Sequence, residues 1–427
     1  MNTTTVSAPA ASAGLFSGGR AGACVGAVAL ITLLAFEALA VAAAMPAVAA
    51  ALDGLSLYAL AFGGTLAASV PGMVLAGRIC DKGADGADGT PSSRRHGAWH
   101  ATVWGLALFG TGLLLAGLAP HMAVLVAGRV LQGLGGGMLG VTLYVGMGQV
   151  VPPALHPRLF SLFATAWVVP GLVGPTLATS LVQHAGWRWV FLAVLAVLPV
   201  AAWLLLPALA RLQAPAAAAA PRPFSWRLLP AGVLRAAPGL PAVVALRGLL
   251  AAAFATAEVF LPLALTRDQG WTLMHAGWVL SSGALFWSLG SALQARLTEP
   301  RQRRQALHAG LWLVSTGIAA LALVLTWPPA GWPATAAVVA CWMLSGLGVG
   351  LAFPILSVQL LKISAPDEQG RNASALQLAD ALASSAALSA AGLLVLQPQG
   401  MTGVMALAAA VALLGALCAR RVFAPPT

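Results

Sequence analysis

Residues 33–48 read LLAFEALAVAAAMPAV, an apolar stretch with one charge, Glu37. The apolar run extends on both sides, over roughly 23–50, and Glu37 is its only charged residue. At 1.5 Å per residue such a run crosses the ~30 Å hydrocarbon core of a bilayer as a helix. A carboxylate at that depth costs on the order of 2.5–3.5 kcal/mol on insertion scales. A residue kept there at such a cost is expected to handle protons or ligand. The bland alternative is an acid satisfied by Ser, Thr or backbone partners. Two more acids, Glu258 and Asp380, stand inside long apolar runs of a chain with only 11 acidic residues.

The surrounding sequence repeats the pattern. The chain has 427 residues, of which 59% are hydrophobic and 8% charged, and its mean hydropathy is +0.88. Water could not solvate that surface. The reading is therefore an all-α integral membrane protein, because helices satisfy their own backbone groups in lipid. The alternation of a membrane β-barrel is missing. Twelve spans are expected, near 23–50, 56–79, 98–119, 122–150, 158–184, 187–210, 241–265, 272–297, 305–327, 334–362, 371–396 and 401–422. The 47 glycines suit close helix packing.

A net charge of +11 raises the question of nucleic acid. The placement of the charges answers it. With the N-terminus in the cytoplasm, 18 of the 22 basic residues fall in tails, loops or helix ends on that side. Only Arg188 and Arg267 fall on the other, while Arg129 and Arg247 lie within spans. This is the positive-inside distribution, and it sets both termini in the cytoplasm. Topology and contact with membrane lipids account for the basicity, so no nucleic-acid partner is expected. Cys24, Cys80, Cys341 and Cys418 have no ligand-like spacing, and no metal site or cofactor is expected.

Residues 1–22 read as a disordered cytoplasmic tail without the features of a signal peptide. The Pro/Ala-rich stretch 213–240 divides the spans into halves, 23–212 and 241–427. Trp226, Leu229 and Val233, flanked by Arg227 and Arg235, allow a short surface helix there. The halves echo each other. LLAAAFATAEVFLPLAL in span 7 matches the pattern of span 1, with one Glu followed by a Pro. Two such six-helix halves, pseudo-symmetric, are the mark of a repeat-built transporter with its site near the midplane.

Specific motifs reinforce this reading. Span 2 ends in Gly77-Arg78-Ile79-Cys80-Asp81-Lys82-Gly83, with Arg94-Arg95 following after an insertion. Span 4 holds Arg129, Gln132, Gly133 and Gly135 in GRVLQGLGGG, and span 5 holds Gly171, Gly174 and Pro175 in PGLVGPTLAT. In this order and placement they resemble motifs A, B and C of the major facilitator superfamily. Motif C is the antiporter motif of its drug:proton exporters. Three departures stand out: ADGADGTPSS interrupts motif A, Ala178-Thr179 replaces a Gly pair in motif C, and span 1 has Phe36-Glu37-Ala38 where many fourteen-span relatives carry an Asp-Thr pattern.

The resemblance implies the major facilitator fold, a gating cluster at Gly77, Arg78, Asp81, Arg94 and Arg95, and proton coupling near Arg129. In that cluster Gly77 would permit close helix contact and Asp81 would form charge-assisted bonds. Arg129 cannot shed its charge and needs a partner, and Glu37 at similar depth is the preferred one. Glu258 would face the central cavity. Gln377, Asp380 and Ser384 share a helical face that should turn toward the cavity or span 2. Arg247 lies about 16 Å along its helix from Glu258 and is expected to snorkel to the cytoplasmic interface. Trp167 and Trp287 fall within spans and could line the cavity.

The expected function is proton-coupled export of amphipathic small molecules, by a monomer, across a bacterial inner membrane. A symporter or facilitator for a nutrient on the same fold is the nearest alternative. An enzyme would show a reactive polar cluster at one face, and a receptor would show a sizeable soluble domain. The sequence shows neither.

Overall fold

The computed structural model describes residues 14–16, 20–82, 97–212, 229–326, 331–365, 368–397 and 399–423. Twelve long helices account for nearly all of them: α1 (Ala21–Ala51), α2 (Tyr58–Lys82), α3 (Gly97–Gly117), α4 (Met122–Val150), α5 (His156–Ala185) and α6 (Trp189–Ala210) in one half, then α7 (Leu240–Leu263), α8 (Leu273–Ala295), α9 (Pro300–Thr326), α10 (Gly331–Ile363), α11 (Gln369–Leu394) and α12 (Gly400–Cys418) in the other. Eleven are long and apolar enough to cross a membrane by length and composition alone. The remaining one, α8, is of membrane length but carries His275, four serines and Gln294. The ends lie within a few residues of the sequence expectation, except that α9 starts five residues early. Of the surface helix expected near 226–233, Trp226 and Arg227 lie outside the described residues. The described part holds one short turn, Val233–Arg235.

Prolines stand inside several helices, at 46, 71, 170, 175, 199, 207, 262 and 354. Neighbouring helices and local adjustment make this tolerable in a membrane bundle. Pro262 shows one such adjustment. Past it, α7 widens into a π turn over Ala264–Asp268, and the Thr266 hydroxyl donates to the Pro262 carbonyl at 2.8 Å.

The packing is two-fold. In the first half α4 packs on α2 and α3, α1 on α5 and α6, and α3 on α6. In the second half α10 packs on α8 and α9, α7 on α11 and α12, and α9 on α12. Adding six to each helix number of the first set yields the second. The two main contacts between halves, α2 with α11 and α5 with α8, exchange under the same operation.

Glycines set the close approaches. A Cβ on Gly133 or Gly137 of α4 would strike the Thr65 or Ser69 carbonyl of α2. A Cβ on Gly346 or Gly350 of α10 would strike the Gly283 or Trp287 carbonyl of α8. Small residues of this kind bring membrane helices into backbone contact. The outer helices expose large apolar side chains, including Trp104 of α3, Trp203 of α6, Trp312 of α9 and Leu417 of α12. Such a surface needs lipid rather than water around it.

The end of the bundle that carries the chain termini is called here the terminal end, and the other the distal end. Every hydrogen bond between the halves among the described residues lies toward the distal end. The Tyr58 hydroxyl of α2 donates to the Val259 carbonyl of α7 at 2.9 Å, and Ser385 of α11 donates to the Gly63 carbonyl at 2.8 Å. Thr176 of α5 meets Ser281 of α8 at 3.1 Å. Nearer the terminal end an apolar cluster of Val70, Leu378 and Ala381 joins α2 to α11.

Candidate functional site

Arg129 lies two turns into α4 from the distal end, and its side chain reaches between α1 and α2. One terminal nitrogen donates both to a Glu37 carboxylate oxygen and to the Gln132 side-chain carbonyl. Nε donates to the Ala61 carbonyl at 3.2 Å, and the Phe62 ring lies 6.0 Å from the guanidinium. The side chains of Glu37 and Arg129 are only 6% and 4% exposed. The pair joins α1 to α4, the two helices that the sequence suggested. Such a pair gains little net stability, but losing one partner strands a buried charge at a cost of about 3–5 kcal/mol. The Gln132 Nε2 is buried without a partner among the described residues. Arg129 and Gln132 are one turn apart on α4, so Gln132 holds the guanidinium that pairs with Glu37.

Glu258 differs from Glu37. It is half-buried on α7 and makes no ion pair or hydrogen bond among the described residues. It stands next to Val259, whose carbonyl receives the Tyr58 hydroxyl. Tyr58 in turn packs on Phe260 and Phe62, with ring centroids 5.4 and 5.6 Å away.

Asp380 is paired, and its partner corrects an expectation. Arg247 does not snorkel to an interface. Its Nε donates to Asp380 at 3.0 Å and a terminal nitrogen donates to the Ser357 hydroxyl at 2.7 Å. The guanidinium carbon sits 3.2 Å from the Phe353 ring centroid. Arg247 thus ties α7 to α10 and α11. A desolvated guanidinium two turns inside the bundle is better served by a carboxylate, a hydroxyl and a ring face than by stretching to water. The other Asp380 oxygen is buried without a partner among the described residues. Gln377 lies one turn away on α11 and is exposed, whereas Ser384 is buried.

The other motif residues divide. Gly171 lies against Ala284 of α8, and Gly174 against Phe36 of α1. The PGLVGPTLAT segment therefore forms part of the seam between halves. Its departure from the Gly pair has a local answer. Thr179 is buried and packs on Gly277 of α8, so the small residue stands on the facing helix instead. At the end of α2, Arg78 is exposed. A Cβ on Gly77 would meet no atom among the described residues. The close approach at this corner comes from Gly97 of α3, set against the backbone of Ile79 and Cys80. The Asp81 side chain, Arg94 and Arg95 lie outside the described residues.

One feature of the second half escaped the sequence reading. GLGVG at 346–350 of α10 repeats GLGGG at 133–137 of α4, and the glycines contact equivalent helices. By that register Trp342 occupies the place of Arg129, and Ser345 that of Gln132. Trp342 is fully buried and stacks on Phe254 of α7, with centroids 4.8 Å apart and planes 16° from parallel. Phe254 meets Trp287 of α8 edge-on at 5.3 Å, and Trp287 meets Phe353 at 5.6 Å. Trp287 and Phe353 are half-buried, and Trp167 of α5 is exposed. The signal was present in the repeated glycine spacing.

The comparisons with known proteins agree with this architecture. The family model described as Major Facilitator Superfamily matches residues 25–339. A Mycobacterium tuberculosis protein described as "Probable multidrug-efflux transporter" is 27% identical over 364 residues, covering 72% of this chain and 76% of the relative. The "Multidrug efflux pump SdrM" of Staphylococcus aureus is 28% identical over 97 residues, 22% of this chain and 21% of the relative. Among solved structures, a POT family transporter in complex with 5-aminolevulinic acid superposes with a TM-score of 0.70 at 14% identity, covering 95% of this chain and 96% of that one. A bacterial homologue of the iron transporter ferroportin, in an inward-facing state, gives 0.69 at 16% identity, covering 96% and 100%. The twelve-helix two-fold fold and the family match together establish that the chain is a multi-pass membrane transporter, not an enzyme, and belongs to the major facilitator superfamily.

Proposed function

We propose that the protein is a proton-coupled exporter of amphipathic small molecules, acting as a monomer in a bacterial inner membrane by alternating access. The observation that carries this reading is the buried Glu37–Arg129–Gln132 cluster on α1 and α4. Its charge-bearing contact is one that a proton can break. Protonation of Glu37 removes the anion from Arg129 and leaves the guanidinium to Gln132 and the Ala61 carbonyl. The two protonation states therefore stabilise different arrangements of α1 against α4, and a proton moves the conformational equilibrium by that difference.

The halves 23–212 and 241–427 rock about the seams α2–α11 and α5–α8. The basic loops set the terminal end, with both chain termini, in the cytoplasm. Bonds such as Tyr58–Val259 then close the outer side, in a state ready to load substrate from within. Glu258, which lacks a counter-charge, is available to substrate or to a second proton. The half-buried rings of Trp287 and Phe353 offer apolar faces to an amphipathic molecule. The efflux names of the relatives support export over uptake.

Vesicle reconstitution tests the reading. With an imposed pH gradient, proton and substrate fluxes are measured together. Export against a concentration gradient should run with proton entry in the wild type and stop in Glu37→Gln, leaving downhill exchange. Uphill transport that survives in Glu37→Gln removes Glu37 from the coupling role, and substrate moving with the proton makes the carrier a symporter.

A further inference from the structure

The terminal end of the second half holds a cavity of about 660 Å³ between the ends of α8, α9 and α10 and the segment after α12. Arg301, Arg303, Arg304 and Lys362 line it, together with Gln359 and Phe423, and among the described residues no carboxylate does. None of the four cations forms an ion pair among the described residues. Two are held in place by neutral contacts. Arg303 Nε donates to the Leu297 carbonyl at 2.9 Å, and the Arg304 guanidinium stands 5.8 Å from the Phe423 ring. The acid next to the lining in sequence, Glu299, is exposed beside Pro300 and is not among the lining residues, and Glu368 is bonded to Arg371 at 2.6 Å.

Topology signals require positive charge in a loop, but they do not require it to converge on a cavity. Four like charges around one space repel each other, and the arrangement is relieved by an anion with several acceptor oxygens. A guanidinium presents a planar fork that matches phosphate, and Lys362 supplies a point charge beside it. Basic pockets among membrane helices on the cytoplasmic side are the usual receptors for phospholipid headgroups.

We propose that this cavity binds a phosphate anion, carried by an anionic lipid headgroup or by a soluble molecule. The proposal is independent of the coupling role of Glu37. The test follows thermal unfolding of the purified full-length protein in two settings. One adds pyrophosphate in neutral detergent, against sodium chloride at matched ionic strength. The other compares nanodiscs of phosphatidylcholine with nanodiscs containing phosphatidylglycerol. The variants are Arg301→Ala/Arg304→Ala and a control, Arg158→Ala/Arg211→Ala. The control removes the same charge from exposed sites at the same end of the other half.

Wild type and control should melt at a higher temperature with the phosphate group. In the double variant of the pocket the apparent affinity should fall about tenfold or more, given the usual strength of a cation at a phosphate surface. A rise with phosphatidylglycerol alone assigns the site to lipid, and a rise with pyrophosphate alone assigns it to a soluble anion. If the double variant does not fold, Lys362→Gln replaces it with the same expectation. No phosphate-specific rise in the wild type, or an equal loss in the control variant, overturns the proposal.

Discussion

Where α4 carries Arg129, α10 carries Trp342, and the two halves bury different chemistry at the same place in the same packing. In the first half a cation bonds a carboxylate on α1 and an amide on its own helix. In the second an indole stacks on Phe254 of α7, the helix that corresponds to α1. The glycine framework around both is alike, because it sets how closely helices approach and leaves the side chain at the crossing free to differ. An ion pair can be made and broken by a proton, whereas an aromatic stack cannot. On the proposed reading the proton-sensitive contact at this crossing belongs to the first half, while the second half has an aromatic stack there and carries its own ion pair, Arg247–Asp380, two turns in from the terminal end.

The sharpest way to break the comparison is to exchange the consequences of losing each residue. Arg129→Ala should strand Glu37 and cost about 3–5 kcal/mol, with uphill transport abolished. Trp342→Ala should cost a similar 3–5 kcal/mol through the cavity it leaves. Whatever transport remains in that variant should still be driven by the pH gradient. Chemical denaturation of each purified variant reads stability, and paired flux assays read coupling. If both variants lose coupling alike, the division between the halves is wrong.

An intermediate effect is expected at the second ion pair. Asp380→Asn leaves Arg247 with Ser357 and the Phe353 ring. Because the Asp380 side chain is 23% exposed, the loss should stay nearer 1–3 kcal/mol. Arg247→Lys should recover less than Asp380→Asn retains, because an ammonium cannot both lie flat on Phe353 and reach two oxygens. Melting temperatures of the two variants check this order.

The smallest effect concerns the seam. Tyr58→Phe keeps the ring contacts with Phe62 and Phe260 and removes one hydrogen bond between the halves, worth about 0.5–1.5 kcal/mol. The equilibrium should move a few fold toward the state open at the distal end. Spin-label distances between the distal ends of α2 and α7 would register the change, with uphill transport retained.

Much of this was legible in the residues. Spans near 23–50 and 122–150 could be drawn by length, and each contained one charge. Glu37 and Arg129 fell at comparable depths, and two buried opposite charges at one level seek each other. Asp380 and Arg247 were equally visible but 133 residues apart. Comparing Arg247 only with the acid on its own helix sent it toward the interface. The glycines of α10 were also in plain view, yet their match to α4 gained meaning only when both sets met equivalent helices. The gate at Gly77 follows from resemblance alone, and the Asp81 side chain, Arg94 and Arg95 lie outside the described residues.

Hydropathy determined that the chain crosses a membrane as a bundle of helices, because the bilayer thickness and the cost of unpaired backbone groups admit one solution, and eleven of the twelve qualify by length and composition alone. The Pro/Ala-rich stretch 213–240 and the echo between spans 1 and 7 pointed to the division into halves, and the placement of basic residues pointed to the orientation. Tertiary structure decided the pairing: Arg129 with Glu37, Arg247 with Asp380, Trp342 with Phe254, and Glu258 with no polar partner among the described residues. A buried side chain answers to whichever helix lies beside it, and that neighbour is chosen by the packing of all twelve.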